Sequence, residues 1–480
     1  MTIADVRKKW LALYVLALGD LLIVLDISIV NVALPSIRED LGFSEASLAW
    51  VINAYTLTFG GFMLLAGRLG DLFGHRRLFL LGVGLFTGAS LACGLATSSA
   101  VLVGARAIQG IGGAVVAAVA LSLIMTLFTE PAERAKAMGV IGFVAAGGGS
   151  IGVLAGGVLT DILSWHWIFL VNLPVGAAVI AFCLMLLPAD SGARGRTSLD
   201  VAGAVTVTAS LMLAVYAIVN GNEQGWTSAR TLGLLAGAAG GLALFLLLES
   251  RVSSPLMPLG LLRLRSVAAS NVVGILWSAA MFAMFFLSAL YLQLVLGYSP
   301  LEVGLAFLPA NLLMGALSLG LSARLVLRFG VKPPLVGGMA LVALGLALLA
   351  RVPVEGSFVV DVLPSMLVLG VGIGMAMNPL LLAAMGDVEP RDAGVASGVV
   401  NTSFMLGGAL GLAVLASVAS ARTGDSRSAA ALVDGYQAAF VIGAVFAVAA
   451  GAVAAAFLRS SPAPIGDPHA IGEPALEPSA

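Results

Sequence analysis

Residues 67–77 read Gly-Arg-Leu-Gly-Asp-Leu-Phe-Gly-His-Arg-Arg, and they stand between two apolar runs, 46–66 and 78–97. About 20 apolar residues cross ~30 Å of hydrocarbon at 1.5 Å per residue. The glycine-rich, basic stretch between the runs therefore reads as the turn joining two membrane-spanning helices. Twelve more runs lie outward of it, at 11–34, 101–127, 138–160, 167–187, 199–219, 231–248, 268–292, 303–323, 335–350, 362–385, 393–419 and 437–458. Fourteen spans result. The eleventh has only 16 residues and must take in Pro333 and Pro334, or Arg351 and Val352, to cross.

Composition agrees and excludes other classes. Of 480 residues, 60% are hydrophobic and 10% charged, with a mean hydropathy of +1.07, against roughly 25% charged in a soluble domain. A net charge of -1 offers no basic field for nucleic acid. Cys93 and Cys183 form no cysteine framework, and His75, His166 and His469 are too scattered for a zinc motif. No Gly-Lys pair exists for a phosphate-binding loop, so ATP hydrolysis is not expected. No cofactor and no metal are expected.

The first run follows Arg7, Lys8 and Lys9 like a signal peptide, but its length and its two acids, Asp20 and Asp26, mark a retained helix. With the N-terminus inside, eighteen of the 24 Lys and Arg lie in inner segments and five in outer loops, which puts both termini in the cytoplasm. Residues 459–480 are proline-rich and are expected to be a disordered cytoplasmic tail.

An internal repeat organises the spans. Residues 68–74 (Arg-Leu-Gly-Asp-Leu-Phe-Gly) and 324–330 (Arg-Leu-Val-Leu-Arg-Phe-Gly) share R-L-x-x-x-F-G at an offset of 256. Gly142 and Gly398, and Gly152 and Gly408, keep that offset, while Gly110 and Gly112 match Gly370 and Gly372 at 260. The division expected is a cytoplasmic N-terminus (1–10), a six-helix bundle (11–187), a linker carrying two extra spans (188–267) and a second six-helix bundle (268–458). Repeats of this kind put the working site at their interface, near the bilayer midplane.

In the 67–77 turn, glycines permit a tight reversal, Asp71 can cap the following helix or pair with an arginine, and Arg68, Arg76 and Arg77 suit the anionic inner leaflet. Here the chain resembles the major facilitator superfamily, whose signature it follows at Gly67, Leu69, Asp71 and Gly74, with His75 at a usually basic place before Arg76 and Arg77. Leu25 to Pro35, with Asp26 and Asn31, resembles the first-helix motif of fourteen-span drug:proton antiporters. Leu102 to Gly113, with Arg106, Gln109, Gly110 and Gly112, resembles their fourth-helix motif. Trp165 to Pro174 and Gln293 to Pro300 extend the likeness, which covers residues 10–458. The resemblance implies an all-α membrane protein of two six-helix bundles plus two central helices, and export of small hydrophobic or amphipathic compounds from a bacterial cell across its cytoplasmic membrane, as a monomer. It assigns conformational gating to Gly67, Arg68, Asp71, Gly74, Arg76, Arg77, Gly152, Gly156 and Gly157. One departure concerns the antiport motif of the fifth span, where Val153 replaces a proline. The small-residue stripe Gly148, Gly152, Gly156 survives and permits close helix contact, but without the proline a kink is not guaranteed.

Ionisable side chains in hydrocarbon cost about 2.5–3.5 kcal/mol each on insertion scales. Three lie well inside spans: Asp20, Asp26 and Arg106. By helical rise Asp26 and Arg106 both sit outward of the midplane and can pair, while Asp20 lies inward and about 120° away around the helix. Burial favours a protonated carboxyl and a guanidinium favours the carboxylate. Moving Arg106 between states would then swing proton affinity. A proton crossing ~150 mV supplies ~3.5 kcal/mol, a concentration ratio of a few hundred. The alternative is a static ion pair locking helices 1 and 4. For the substrate cavity, polar and aromatic candidates are Asn31, Asn53, Gln109, Trp277, Phe282, Asn311 and Asn378, with Met281, Met284 and Phe285 as an adaptable wall. Interhelical hydrogen bonding and packing are their alternatives.

Two other classes match parts of the sequence. Gly148-Gly149-Ser150-Ile151-Gly152 fits G-x-S-x-G, with Asp161 and His166 following as in a hydrolase, but that motif needs a strand and a strained turn. An enzyme is not expected. A passive channel would also present acids to a pore. Within transporters, uptake, or export of one endogenous metabolite, is the runner-up. Twenty Arg against four Lys hints at a GC-rich bacterial genome.

Overall fold

The computed structural model describes residues 3–128, 130–187, 200–252, 255–256, 259–385, 388, 393–424, 426 and 428–458. Each expected span falls on its own helix, and no strand occurs among the described residues. The first half comprises α1 (Ile3–Leu41), α2 (Trp50–Phe73), α3 (His75–Gly94), α4 (Ser99–Leu127), α5 (Pro131–Ile162) and α6 (Asn172–Leu186). Next come α7 (Val201–Gln224) and α8 (Ala229–Arg251). The second half holds α9 (Arg265–Leu290), α10 (Pro300–Ala316), α11 (Lys332–Leu349), α12 (Leu363–Met385), α13 (Ala393–Thr423) and α14 (Ala429–Phe457). Helix α10 continues through a π turn, Leu317–Leu321, into Ser322–Phe329. Eleven described helices are long and apolar enough to cross a membrane, and Gly147–Ile162 and Pro300–Ala316 are shorter apolar pieces. The eleventh span gains its length at its start, where Pro333 and Pro334 fit the first turn because amides there need no helical partner.

Helix starts are set by local chemistry. Ser98, Asp200, Ser228 and Ser428 each accept a bond from a first-turn amide of α4, α7, α8 and α14, and Ser299 with Glu302 forms a capping box at α10. The turn expected over 67–77 is shorter than its composition suggests. Residues 67–73 are the last two turns of α2, and the reversal happens at Gly74 alone, at φ 93°. The cap position of α3 is Gly74. A glycine, which has no Cβ to clash at positive φ, makes a side-chain cap unnecessary. The side chains of Arg68 and Asp71 lie outside the described residues, as does the 459–480 tail.

The repeat is visible in contacts. Gly330, 256 residues after Gly74, ends its own helix at φ 77°. A Cβ on Gly152 of α5 would stand 2.8 Å from Ser28 of α1, and one on Gly408 of α13 would stand 2.8 Å from Phe282 of α9. Gly110 abuts Tyr55 of α2 and Gly112 abuts Phe86 of α3; correspondingly, Gly370 abuts Ala310 of α10 and Gly372 abuts Gly338 of α11. Equivalent glycines thus let equivalent helix pairs approach. Helix α7 lies across the seam between halves. Thr208 meets Gly61 of α2, and Asn222 Nδ2 donates to the Ser417 carbonyl of α13 at 2.7 Å.

Candidate functional site

The first half encloses a knot of polar side chains. Asp26 from α1 takes an ion pair from Arg106 of α4, a bond of 2.7 Å from Gln109 Nε2 and one of 3.1 Å from Asn172 Nδ2 of α6. Arg106 also donates from Nε to the Val51 carbonyl of α2 at 2.9 Å and from Nη1 to Gln109 Oε1 at 2.7 Å. Gln109 and Asn172 both donate to Ser90 Oγ of α3, at 2.8 and 3.3 Å. The guanidinium is flanked by the Tyr55 ring at 4.4 Å and the Phe169 ring at 5.6 Å, within reach of cation–π attraction. Asp26 and Gln109 are 0% exposed, Arg106 1% and Asn172 2%. With its hydrogen bonds supplied, such a pair offsets the several kcal/mol lost on desolvating each ion.

Three sequence candidates, Asp26, Arg106 and Gln109, come together here. Ser90, Asn172 and Tyr55, which no sequence motif marks as site residues, complete the knot. Asp20 does not join it. It is half-buried, with no hydrogen bond or ion pair to another described residue, and shares a face of α1 with the half-buried Val24, Ile27 and Asn31. The opposite side of α1 carries the exposed Leu11 and Tyr14. Asn31 donates back to the Ile27 carbonyl of its own helix at 3.1 Å. Asn53 is fully buried with both amide atoms unpartnered.

In the second half, Met284 and Phe285 of α9, Phe307 and Asn311 of α10 and Met366 of α12 surround a cavity in which Asn311 is the one polar side chain. Its free volume is about 10 Å³, the room one water needs. Trp277 and Phe282 lie elsewhere, packed edge-on against Phe404 at 5.5 and 6.2 Å in the α9–α13 contact. Asn378 of α12 donates to the Ser318 carbonyl in the α10 π turn at 2.7 Å, tying the two helices.

The antiport stripe has a clear geometry. A Cβ on Gly156 would stand 2.6 Å from the Ile29 carbonyl of α1, and one on Gly157 would stand 2.8 Å from the Leu301 Cα of α10 in the other half. Helix α5 runs unbroken past Val153, as expected without the proline. The two halves are also joined by Gln293 Nε2, which donates to the Val32 carbonyl at 2.8 Å. These contacts close the seam on the side away from the chain termini. Near the 67–77 turn, Arg76 Nη2 donates to the Leu184 carbonyl at 2.7 Å, tying α3 to α6. Ser150 lies inside α5 rather than on a strand-to-helix elbow, which removes the hydrolase context.

Comparison with known proteins agrees with this architecture. The family model described as Major Facilitator Superfamily matches residues 16–412. The chain belongs to the Major Facilitator Superfamily. Among similar proteins, the puromycin resistance protein pur8 of Streptomyces alboniger is 41% identical over 448 residues, covering 92% of this chain and 89% of that protein. The cephamycin export protein CmcT of Amycolatopsis lactamdurans is 40% identical over 459 residues, covering 94% and 93%. Among solved structures, the nucleoside transporter NupG superposes with a TM-score of 0.67 at 15% identity, covering 93% of this chain and 99% of that one. That likeness concerns the fold alone. The chain is thus a multi-pass membrane protein of a transporter superfamily.

Proposed function

We propose that the chain exports small hydrophobic or amphipathic antibiotics across a bacterial cytoplasmic membrane in exchange for protons, by alternating access. The observation that carries this reading is the likeness, over nine-tenths of the chain, to proteins named for puromycin resistance and cephamycin export. Bundles 11–187 and 268–458 rock against each other, with both termini cytoplasmic in accord with the basic loops. The transporter works as a monomer and draws on the proton gradient rather than ATP.

Within this reading Asp20 is the carboxyl that takes up and releases the proton, since it is not fully buried and has no partner to displace among the described residues. Asp26 and Arg106 act as the coupler: the pair joins α1 to α4, and any movement of α1 alters it. Cargo contacts the Met and Phe wall around Asn311 once rocking widens it. Gating residues at 67–77 and the α5 glycines limit which seam opens.

Proteoliposomes with an imposed pH gradient provide the test, reading puromycin accumulation with and without a protonophore, for wild type, Asp20→Asn, Asp26→Asn and Arg106→Ala. Gradient-dependent accumulation, lost in Asp20→Asn, is expected. Unchanged accumulation in all three variants would overturn the coupling scheme, and accumulation indifferent to the protonophore would overturn antiport. A second reading, export of one dedicated compound, is favoured by the fact that several relatives are named for a single antibiotic each. A panel of unrelated compounds separates the two.

A further inference from the structure

The inserted pair α7 and α8 covers a cavity that neither the coupling knot nor the Asn311 wall uses. It holds about 220 Å³, more than the ~150 Å³ in which an engineered apolar cavity takes up benzene. Its walls come from five helices: Gly61 of α2, Leu211 of α7, Leu242 and Phe245 of α8, Ile275 of α9 and the run from Val399 to Leu410 of α13. It therefore lies where the two halves meet. No charged side chain lines it, and of its hydroxyls Ser403 is already bonded to Asn271.

Position and length point to an occupant. Val399 and Leu410 are 11 residues apart in α13, about 16 Å at 1.5 Å per residue, which is the depth of one leaflet of a ~30 Å hydrocarbon core. Val399 lies near the start of α13, and Phe245 lies six residues before the end of α8, so the cavity occupies the leaflet on the side of the chain termini. Beyond Phe245, the exposed Arg251 ends α8 and the exposed Arg263 precedes α9, at the level where lipid headgroups sit. The outer faces of α7 and α8 are apolar and exposed at Val201, Val205, Leu244 and Leu247, so lipid chains surround the pair on its outer side. Anionic headgroups are drawn to such arginines.

We propose that this cavity binds one acyl chain of an anionic phospholipid from the leaflet on the termini side, its headgroup held by Arg251 and Arg263. A chain so placed touches α2 and α13 at once, and its residence depends on the distance between the two halves.

The test uses the full-length protein in nanodiscs containing phosphatidylglycerol with a diazirine at the end of one acyl chain, followed by photolysis and peptide mapping. Label is expected within Val399–Leu410 and on Leu242 or Phe245, and to fall at least fivefold in Leu242→Trp and in Ile275→Trp. Label confined to Leu244, Leu247 and other outward positions would overturn the proposal, as would label displaced by excess puromycin, which would give the cavity to cargo. Should a tryptophan variant elute as aggregate, the wild-type map decides alone, because inward and outward positions lie on different faces of α8.

Discussion

At the level of single residues, the decisive contrast is between two acids six positions apart on one helix. Asp26 faces Arg106, Gln109 and Asn172 and has no exposure, whereas Asp20 is half-buried and has no partner among the described residues. Their functions should separate by experiment. Removing one member of a buried ion pair leaves an uncompensated charge and costs about 3–5 kcal/mol. Asp26→Asn and Arg106→Ala should each lower thermal unfolding in detergent by that order, while Asp26→Asn with Arg106→Gln recovers part of it. Asp20→Asn, with no partner to lose, should unfold like wild type yet lose response to the proton gradient. A wild-type gradient response in Asp20→Asn would reassign proton exchange. The sequence revealed the three charges and their angular separation, because a charge inside an apolar run is conspicuous and helical rise and twist are fixed. Ser90 and Asn172 were not legible as site residues. A serine or asparagine in a helix bonds its own backbone as readily as a neighbour, and only the packing of α3 and α6 against α1 decides which.

Among helices, glycine carries the architecture. The α5 stripe presses Gly156 against Ile29 of α1 and Gly157 against Leu301 of α10, so Gly156→Val should reduce transport at least tenfold at unchanged expression. Gly84→Ala, where the added Cβ meets nothing within 4 Å, is the control. At the reversals, Gly74→Ala and Gly330→Ala should each destabilise by about 1–3 kcal/mol, the usual penalty for a side chain in a sparsely populated backbone region, measurable as a fall in unfolding temperature. Spans were readable because hydrocarbon thickness fixes their length. Turn boundaries were not: residues 67–73 are polar and glycine-rich yet helical, since at a membrane surface a helix can continue into water until one glycine reverses it. The roles of Trp277, Phe282 and Asn378 likewise depend on how α9, α10, α12 and α13 pack, which composition does not encode.

For the whole molecule, the seam away from the termini is closed by α5 against α10 and by Gln293 against Val32, and alternating access requires it to part. The Val32→Cys, Gln293→Cys pair, bridged by a bifunctional methanethiosulfonate, tests this, because Gln293 reaches the Val32 carbonyl across the seam and the natural Cys93 and Cys183 are buried. Bridging should stop transport and reductant should restore it; undiminished transport by the cross-linked protein would mean that this seam stays shut throughout the cycle. The side of the molecule where α2 meets α13 behaves differently because α7 is fastened to both helices, to α2 through Thr208 at Gly61 and to α13 through Asn222 at Ser417. Like a book bound along one edge, such a pump swings widest at its fore-edge. Its path for cargo would then be lopsided, and cutting out the inserted helices would yield not a smaller exporter but one with its spine removed.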